Sequence, residues 1–469
     1  MTEHRDRADN KDSHASEARN DDAATKAEAK YLVTSGLRRR LYIRASLVGL
    51  LAGLCAVGFR LALAAADALR ERIIFWSWSH PYWGWVIPVL FSLCTALLGV
   101  YLVRRFAPEA SGSGIPHIEA VLQRVRSMPW KRILPVKLFG GISAIGSGLA
   151  LGSEGPTVQM GGALGAAVAD TLQSAPQERR ALISAGAGAG LAAAFNAPLA
   201  GLVFVLEEIQ RDFHVAVFGA AFLAAAIADT ISRIIAGQYP VFSVPSYPTP
   251  ELAILPAFVF LGLAAGIFGV VFNRGLLITL SIFSRFRGLW FWLTAGFVGG
   301  LIGLIGWLSP AFLGSGHGIT EKVLRGSFAL EIIPFLLVLR FGMTLISYSI
   351  GSPGGIFAPL LVLGSLLGLA CGYITQQATP DIAPQPGVFA VVGMAALFAS
   401  VVRAPLTGLV LILEMTGDYN LMLPLLISCF CAYFVADELG DLPIYESLLQ
   451  RDLRRDQSPA TAIPVQQGA

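Results

Sequence analysis

The chain has 469 residues, of which 55% are hydrophobic and only 14% are charged, and its mean hydropathy is +0.64. Soluble globular domains contain fewer apolar and more charged residues, so this composition excludes them and indicates a polytopic membrane protein. The formal net charge of +3 does not identify a partner, because the positions of Lys and Arg relative to the membrane matter more than their sum. The five cysteines lie in apolar segments without a CxxC spacing, and we interpret them as core residues.

The chain begins with a polar segment that leads into two long apolar spans. Residues 1–37 are mostly polar, charged or alanine and contain no signal-peptide core, so we expect a cytoplasmic tail. Arginines follow at positions 38–40 and 44, and by the positive-inside rule they keep the N-terminus in the cytoplasm. The spans cover about residues 45–69 and 82–103, and both exceed the roughly 20 residues that a crossing helix needs.

Between residues 109 and 236 the apolar segments become short, rich in glycine and interrupted by proline. Broken helices at membrane depth are tolerated where they line a cavity, and they indicate a transport site. Long spans return at about residues 252–283 and 289–308. Shorter apolar segments then occupy residues 314–324, 331–350, 354–372, 388–402, 404–414 and 421–436.

Two parts of the chain are similar in sequence, which indicates an internal duplication. The segment GAGAGLAAAFNAPLAGLVFVLE, which starts at Gly186, is identical at 11 of 22 positions to the segment that starts at Gly393. The offset of 207 residues predicts a first membrane repeat over residues 38–240, a second over 250–440, and a short cytoplasmic helix and tail over 441–469. Repeats in transporters commonly place the substrate where the halves meet near the midplane. The similarity is equally compatible with inverted and parallel repeats.

The stretch LGSEGPT at positions 151–157 places one carboxylate among glycines in a long apolar region. Pro156 fits the first turn of a helix, where its missing N–H is no loss, so Glu154 is expected just before a helix N-terminus. Such an N-terminus offers free backbone N–H groups and about half a positive charge, which suits an anion. We therefore predict that Glu154 is a removable occupant of an anion site.

Four short elements occur in a fixed order: GSGIP from residue 112, GSEGP from residue 152, GIFAP from residue 355, and a late tyrosine, Tyr445. Together they resemble the signature elements of the CLC chloride channels and chloride/proton exchangers, over about residues 38–455. The resemblance implies an all-α polytopic membrane protein with two inverted-topology repeats of tilted and broken helices. It also implies a homodimer with a separate pathway in each subunit. The motif residues at the expected helix starts are Gly112, Gly114, Pro116, Gly152, Ser153, Gly155, Pro156, Gly355 and Pro359.

By this resemblance, chloride is held by the hydroxyls of Ser113 and Tyr445 and by the backbone N–H groups of Ile356 and Phe357. Neutral donors suit conduction, because a full cation in a low-dielectric site would hold the anion too strongly for release. Two simpler interpretations stand beside this one. Ser113 is also a suitable helix N-cap, and Tyr445 is also a suitable interfacial aromatic residue.

The resemblance gives Glu154 the role of a protonatable external gate and Glu208 that of an internal proton-transfer residue. Placing a charged carboxylate at the bilayer centre costs a free energy on the order of 3 kcal/mol. Protonation removes the charge, and the neutral carboxyl no longer competes with chloride for the anion site. Glu207 aligns with Glu414 in the repeat, and we interpret it as architectural. The simpler alternatives are a helix-capping role for Glu154 and a solvated helix-end charge at Glu208.

Other residues receive more limited predictions. Glu119 and Lys137 match a buried ion pair of the bacterial exchangers, and each would be costly alone. The histidines lack metal-ligand spacing, so we predict neither a metal nor another cofactor. Ser153 stands where the family usually has arginine, which leaves no cation beside the gate. Only 24 residues follow Tyr445, too few for the nucleotide-binding domains of eukaryotic relatives, so we expect no such regulation.

The sequence therefore predicts a secondary active antiporter that exchanges chloride for protons and is not an enzyme. We expect it in the cell (inner) membrane with both termini in the cytoplasm, in contact with lipid and without a nucleic-acid partner. The alternative on the same fold is a passive chloride channel, which would move chloride without protons. An intramembrane hydrolase would need a motif such as HExxH or GxSxG, and neither occurs. A sodium-coupled solute carrier would show sodium-dependent uptake of an organic substrate.

Overall fold

The structure, a computed structural model, describes residues 35–80, 82–211, 215–238, 241–242, 244–245 and 247–456. The predictions for most of the N-terminal tail and for the last 13 residues lie outside these ranges. In the described part every regular element is helical, as the sequence predicts for an all-α protein. The helices are α1 (Ser35–Ser77), α2 (Val86–Phe106), α3 (Ile115–Leu122), α4 (Trp130–Gly146), α5 (Glu154–Thr171), α6 (Pro176–Phe195), α7 (Pro198–Phe204), α8 (Val215–Ala236), α9 (Leu255–Arg285), α10 (Leu289–Leu308), α11 (His317–Leu324), α12 (Ile333–Ser349), α13 (Phe357–Ala378), α14 (Pro386–Val402), α15 (Pro405–Thr416), α16 (Met422–Glu438) and α17 (Ile444–Asp456).

Eight of the described helical segments are long and apolar enough to cross a membrane. They include α1, α2, α8 and α13, and all but the mostly buried α13 carry several exposed large apolar side chains. Exposed apolar faces of this extent suit contact with lipid rather than water. The chain is a multi-pass membrane protein.

Several helix starts differ from the sequence-based expectation by a few residues. The second span begins at Val86 rather than near residue 82, because residues 82–85 form a turn. Helix α5 begins at Glu154 with Ser153 as its N-cap, so Pro156 is the third helical residue rather than the first. An N–H at that position also has no partner within its own helix, so proline is accommodated there without a lost hydrogen bond. Glu154 thus lies inside the first turn.

The two repeats are visible in matching backbone features. Helices α6 and α14 both end in a left-handed residue, Asn196 with φ 51° and Arg403 with φ 68°, at equivalent positions of the aligned segments. In each repeat two helices also cross in close backbone contact. A Cβ added to Gly161 would lie 2.1 Å from the Gly186 carbonyl oxygen, and one added to Gly364 would lie 2.4 Å from the Gly393 oxygen. The duplication predicted from sequence therefore extends to helix packing.

Helices α7 and α15, which occupy equivalent places in the two repeats, cap each other. Glu414 at the end of α15 accepts hydrogen bonds from the N–H groups of Leu199 and Ala200, at 3.1 and 2.8 Å, where α7 begins. Glu207, just after α7, accepts from the N–H groups of Leu406 and Thr407 where α15 begins. Each helix therefore starts where the other ends, so equivalent helices run antiparallel. Antiparallel equivalents are what repeats of inverted topology require.

Candidate functional site

Three glycine-rich loops from distant parts of the sequence meet in the interior. Gly152 and Gly355 form a two-way bridge in which each N–H donates to the other's carbonyl at 2.8 Å. This bridge places the N-termini of α5 and α13 side by side. The third loop joins them at Gly155, where an added Cβ would lie 2.8 Å from the Cβ of Ser113. Only glycine permits this approach, so the loop before α3 lies directly against the first turn of α5.

Ser113 is fully buried at the start of α3. The N-cap itself is Gly114, whose φ of 81° favours glycine, so serine is not the capping residue. The Ser113 hydroxyl oxygen accepts a 3.4 Å hydrogen bond from the Ile115 N–H, and its own O–H lies beside the hydroxyl of Tyr348. Ser113 is therefore not the N-cap of α3, although its hydroxyl oxygen satisfies one N–H of the first helical turn, and its role as an anion donor stays a prediction.

Glu154 is buried, with 6% of its surface exposed, and its carboxyl lies beside the backbone N–H of Ala358 at the start of α13. The Ser153 hydroxyl donates a 3.3 Å hydrogen bond to Oε1, and Oε2 has no hydrogen-bond partner among the described residues. No Lys or Arg in the described ranges forms an ion pair with this carboxyl. The carboxylate thus sits between two helix N-termini, which favour negative charge.

The start of α13 presents backbone donors. Ile356 is the N-cap and Phe357 the first helical residue, and within the described residues neither N–H has an acceptor. The Phe357 ring is fully buried and packs against Phe204 and Phe398, with ring centroids 5.8 and 4.7 Å away. The ring therefore fixes the first turn of α13 by packing, while the backbone remains available to an anion.

Two tyrosine hydroxyls complete this cluster. Tyr445, on α17, is fully buried, stacks on Phe357 at 6.4 Å, and its hydroxyl has no hydrogen-bond partner among the described residues. This burial does not fit an interfacial aromatic residue. Sequence reasoning missed Tyr348, near the end of α12, whose hydroxyl accepts a 3.4 Å hydrogen bond from the Ser113 N–H. Nothing in its surrounding apolar run distinguishes it from a core residue.

Glu208 lies in a π-helical turn, Val205–Gln210, that continues α7. Its side chain is 3% exposed, so it is not the solvated helix-end charge of the simpler interpretation. Its carboxyl faces that of Glu119 on α3, close enough for the two to interact. Arg211 lies 3.7 Å from Glu208 and pairs with Glu446 on α17 at 3.1 Å. A cluster of carboxyls therefore lies beside the helix that carries Tyr445.

The predicted ion pair between Glu119 and Lys137 is wrong in its partners. Both residues are buried, but the Lys137 Nζ donates to the carbonyls of Ala110 and Gly112, at 3.0 and 2.7 Å. Glu119 lies against Glu208 instead. Lys137 projects from α4 toward the loop before α3, whereas Glu119 lies in the second turn of α3. The carbonyl groups of Ala110 and Gly112 thus stabilise the Lys137 ammonium group in place of the predicted Glu119 carboxylate.

The histidines and acidic residues of the described ranges are predicted not to bind a metal. No group of three or more His, Cys, Asp or Glu side chains there could hold a metal ion. His117 lies buried on α3, where the Gln159 amide is 3.4 Å from its Nδ1. The chemistry that this arrangement offers is hydrogen bonding to an anion from neutral groups, together with protonation of buried carboxyls.

Comparison with known proteins agrees with the fold. Residues 94–437 match the family described as voltage gated chloride channel. The H(+)/Cl(-) exchange transporter ClcA of Vibrio campbellii is 43% identical over 432 residues, which cover 90% of this chain and 92% of that protein. Among solved structures, a slow cyanobacterial Cl−/H+ antiporter has a TM-score of 0.87 and 36% identity, covering 89% of this chain and 99% of that one.

A more distant structure, a CLC-type fluoride/proton antiporter, has a TM-score of 0.74 and 22% identity, and covers 88% of this chain and 98% of that one. At this identity the likeness concerns the fold alone. The family match spans most of the chain, and the ClcA relative is similar from end to end. The protein therefore belongs to the voltage-gated chloride channel family, known as CLC, and has the CLC fold.

Proposed function

We propose that this protein is a secondary active antiporter that exchanges chloride for protons, with Glu154 as the external gate and Glu208 as the internal proton-transfer residue. The observation that carries the proposal is the position of Glu154, a buried carboxylate without a cation in the first turn of α5. A group held there competes directly with an anion for the same helix N-termini. The names of the ClcA relative and of the cyanobacterial antiporter support the same reaction.

Chloride is held by neutral donors in this proposal. Its donors are the O–H groups of Ser113 and Tyr445 and the N–H groups of Ile356 and Phe357, which have no acceptor within the described part of the chain. Such donors bind an anion without the strong attraction of a full cation, so the ion can leave as well as enter. The pathway needs no metal and no nucleotide.

The proton reaches Glu154 from the cytoplasmic side by way of Glu208. When Glu154 is charged it occupies the anion site, and when it is protonated chloride replaces it. Glu208 is suited to pass the proton because it is buried beside a second carboxyl, that of Glu119. Its burial favours an exchanger over a passive channel, because a channel has no need of a second buried acid.

The remaining features of the proposal concern the whole protein. We place it in the cell (inner) membrane as a homodimer with one pathway per subunit and with both termini in the cytoplasm. The basic residues at positions 38–40 and 44, before the first span, support this orientation by the positive-inside rule. Chloride, protons and membrane lipid are its partners.

The test is transport by the purified protein in liposomes, with chloride and pH recorded together. Glu154→Gln mimics the protonated gate, so chloride should move while proton coupling is lost. Glu208→Gln removes the internal proton acceptor, and again chloride flux should continue without protons. The matched control is Glu251→Gln, an exposed carboxylate before α9, which should behave as wild type. Intact coupling in Glu154→Gln would overturn the gate, and intact coupling in Glu208→Gln would overturn the proton route.

A further inference from the structure

A second GSG sequence, Gly314 to Gly316, lies at the start of α11, in the second repeat. It matches the GSG of Gly112 to Gly114 in sequence and in conformation. The N-caps Gly114 and Gly316 have φ values of 81° and 84°, and each precedes a helix of eight residues. The first loop carries Ser113 of the proposed chloride pathway. The second has no role in that pathway.

Each GSG loop is held by one fully buried cation. In the first repeat Lys137 donates to the carbonyls of Ala110 and Gly112. In the second repeat Arg340, on α12, donates through one terminal nitrogen to the carbonyls of Phe312 and Gly314, both at 3.0 Å. Both repeats therefore use one buried cation to bind two carbonyls of the GSG loop. Arginine carries more N–H donors than lysine, so more donors remain after these two hydrogen bonds in the second repeat.

Two donor nitrogens of Arg340 have no partner in the described part of the chain. Its side chain is 0% exposed, and its Nε and second terminal nitrogen lack hydrogen bonds among the described residues, where it also forms no ion pair. The second terminal nitrogen is directed at the N-terminus of α11, because a Cβ added to Gly316 would lie 2.7 Å from it. A buried guanidinium with unmatched donors and no counter-charge is costly, so the geometry calls for a negative partner.

The loop itself adds further donors at the same place. Within the described residues the backbone N–H groups of Ser315, Gly316 and His317 have no acceptor, as expected for the first turn of a helix. Ser315 is half-buried and His317 is exposed, although one face of the His317 ring stacks on Phe242 at 4.6 Å. A second guanidinium, that of Arg70, has a nitrogen 3.9 Å from a Cβ added to Gly314, although Asp67 pairs with it at 2.5 Å.

We propose that the second GSG loop and Arg340 form an anion site for chloride, separate from the site at Ser113 and Tyr445. A polyatomic anion such as phosphate is a poor fit, because Arg340 and Val362 lie close to Gly316, where an added Cβ would be 2.7 and 2.6 Å from them. Chloride accepts hydrogen bonds from the unmatched guanidinium nitrogens and from the free N–H groups of the loop. It also supplies the missing counter-charge.

Because the repeats are inverted, the second GSG loop lies toward the opposite membrane face from the Ser113 loop. That opposite face is the external one, where the proposed gate opens. The Gly314 N–H donates at 2.9 Å to the carbonyl of Gly148, in the loop that leads from α4 to Glu154. Chloride bound there would be stored near the gate. The site does not depend on the exchange mechanism, because none of its donors belongs to the proposed pathway.

The first test is X-ray diffraction at the bromine edge from crystals of the full protein grown in bromide. We expect an anomalous peak within hydrogen-bond distance of Arg340 and of the Gly316 N–H. A peak between Ser113 and Tyr445 would report on the proposed pathway instead, so the two proposals fail independently. Absence of bromide at Arg340 in the wild-type protein overturns the second site, whatever the pathway shows.

The second test is halide binding measured by calorimetry on variants. Arg340→Met should lower bromide affinity at this site at least about tenfold, equivalent to about 1.4 kcal/mol. Gly316→Ala should have a similar effect, because its Cβ would collide with Arg340, whereas Gly318→Ala is the matched control with nothing within 4 Å. If Gly316→Ala and Gly318→Ala bind bromide equally well, or if the peak persists in Arg340→Met, the site is refuted.

Discussion

Tyr348 places a third hydroxyl beside Ser113 and Tyr445. It accepts a hydrogen bond from the Ser113 N–H at 3.4 Å and lies next to the Ser113 hydroxyl, so it orients the residue that is proposed to hold chloride. Removing such a partner leaves a buried N–H unsatisfied, which costs about 1–3 kcal/mol. We therefore predict that Tyr348 positions Ser113 in the proposed anion site.

Tyr348→Phe should raise the chloride concentration for half-maximal exchange about fivefold, equivalent to about 1 kcal/mol of lost binding. The proton-to-chloride ratio should not change, because both proposed proton carriers remain. The measurement is exchange rate against chloride concentration in liposomes. Tyr373→Phe is the control, since its hydroxyl donates to the Phe328 carbonyl at 2.8 Å, in a loop away from the site. Identical behaviour of the two variants would remove Tyr348 from the site.

A second prediction about single residues concerns which side chain Glu119 interacts with, Glu208 or Lys137. A double-mutant cycle should give a coupling energy above about 0.5 kcal/mol for Glu119→Gln with Glu208→Gln, because these carboxyls face each other. The cycle of Glu119→Gln with Lys137→Met should give less, because Lys137 is bonded to backbone carbonyls. Unfolding by SDS titration in mixed micelles measures both. A larger coupling energy for Glu119 with Lys137 than with Glu208 would contradict this partner assignment and support the ion pair that the sequence predicts.

The sequence predicts backbone positions in this site better than side-chain partners. Glycine and proline fix where α3, α5 and α13 begin to within two or three residues, because few other residues adopt these turns. The direction of a side chain between two helices depends on their packing, which no local pattern specifies. The partners of Lys137 and the position of Tyr348 therefore could not be predicted, whereas the burial of Ser113 and Glu154 near helix starts could.

At the scale of helices, the reciprocal capping of α7 and α15 separates two adjacent glutamates. Glu207 accepts three hydrogen bonds, from the N–H groups of Leu406 and Thr407 and from the Thr407 hydroxyl. Glu208 accepts none from that helix and faces Glu119. The sequence predicts the architectural role of Glu207, because Glu207 aligns with Glu414 in the second repeat. Glu208 has no acidic counterpart there, since Met415 stands at the equivalent position.

Glu207→Gln and Glu414→Gln should each destabilise the protein by about 1–2 kcal/mol, since each replaces a charged helix cap by a neutral one. The melting temperature in detergent should fall by roughly 2 °C or more for each. Exchange by the folded protein should keep its coupling. Glu208→Gln serves as the adjacent comparison, with coupling lost and stability largely kept. The capping role would be contradicted if Glu207→Gln lost proton coupling without losing stability.

At the scale of the whole molecule, two antiparallel repeats bring broken helices from both halves to one point. The Gly152 to Gly355 bridge joins the first repeat to the second there, and α17 adds Tyr445 from beyond both. The proposed routes for chloride and protons meet at Glu154. On the cytoplasmic side of Glu154 they separate, and the chloride route passes Tyr445 whereas the proton route passes Glu208. Arg211 connects the second route to α17 through Glu446.

Coupling between these two routes is the central claim, and one measurement tests it most directly. Wild-type protein is reconstituted in liposomes, an inward chloride gradient is imposed, and an electrode follows the external pH without any pH gradient at the start. Exchange predicts that chloride entering down its gradient drives protons out, so that the external medium acidifies against the rising proton gradient. Brisk chloride uptake with no change in external pH would contradict the account and leave a passive channel in its place.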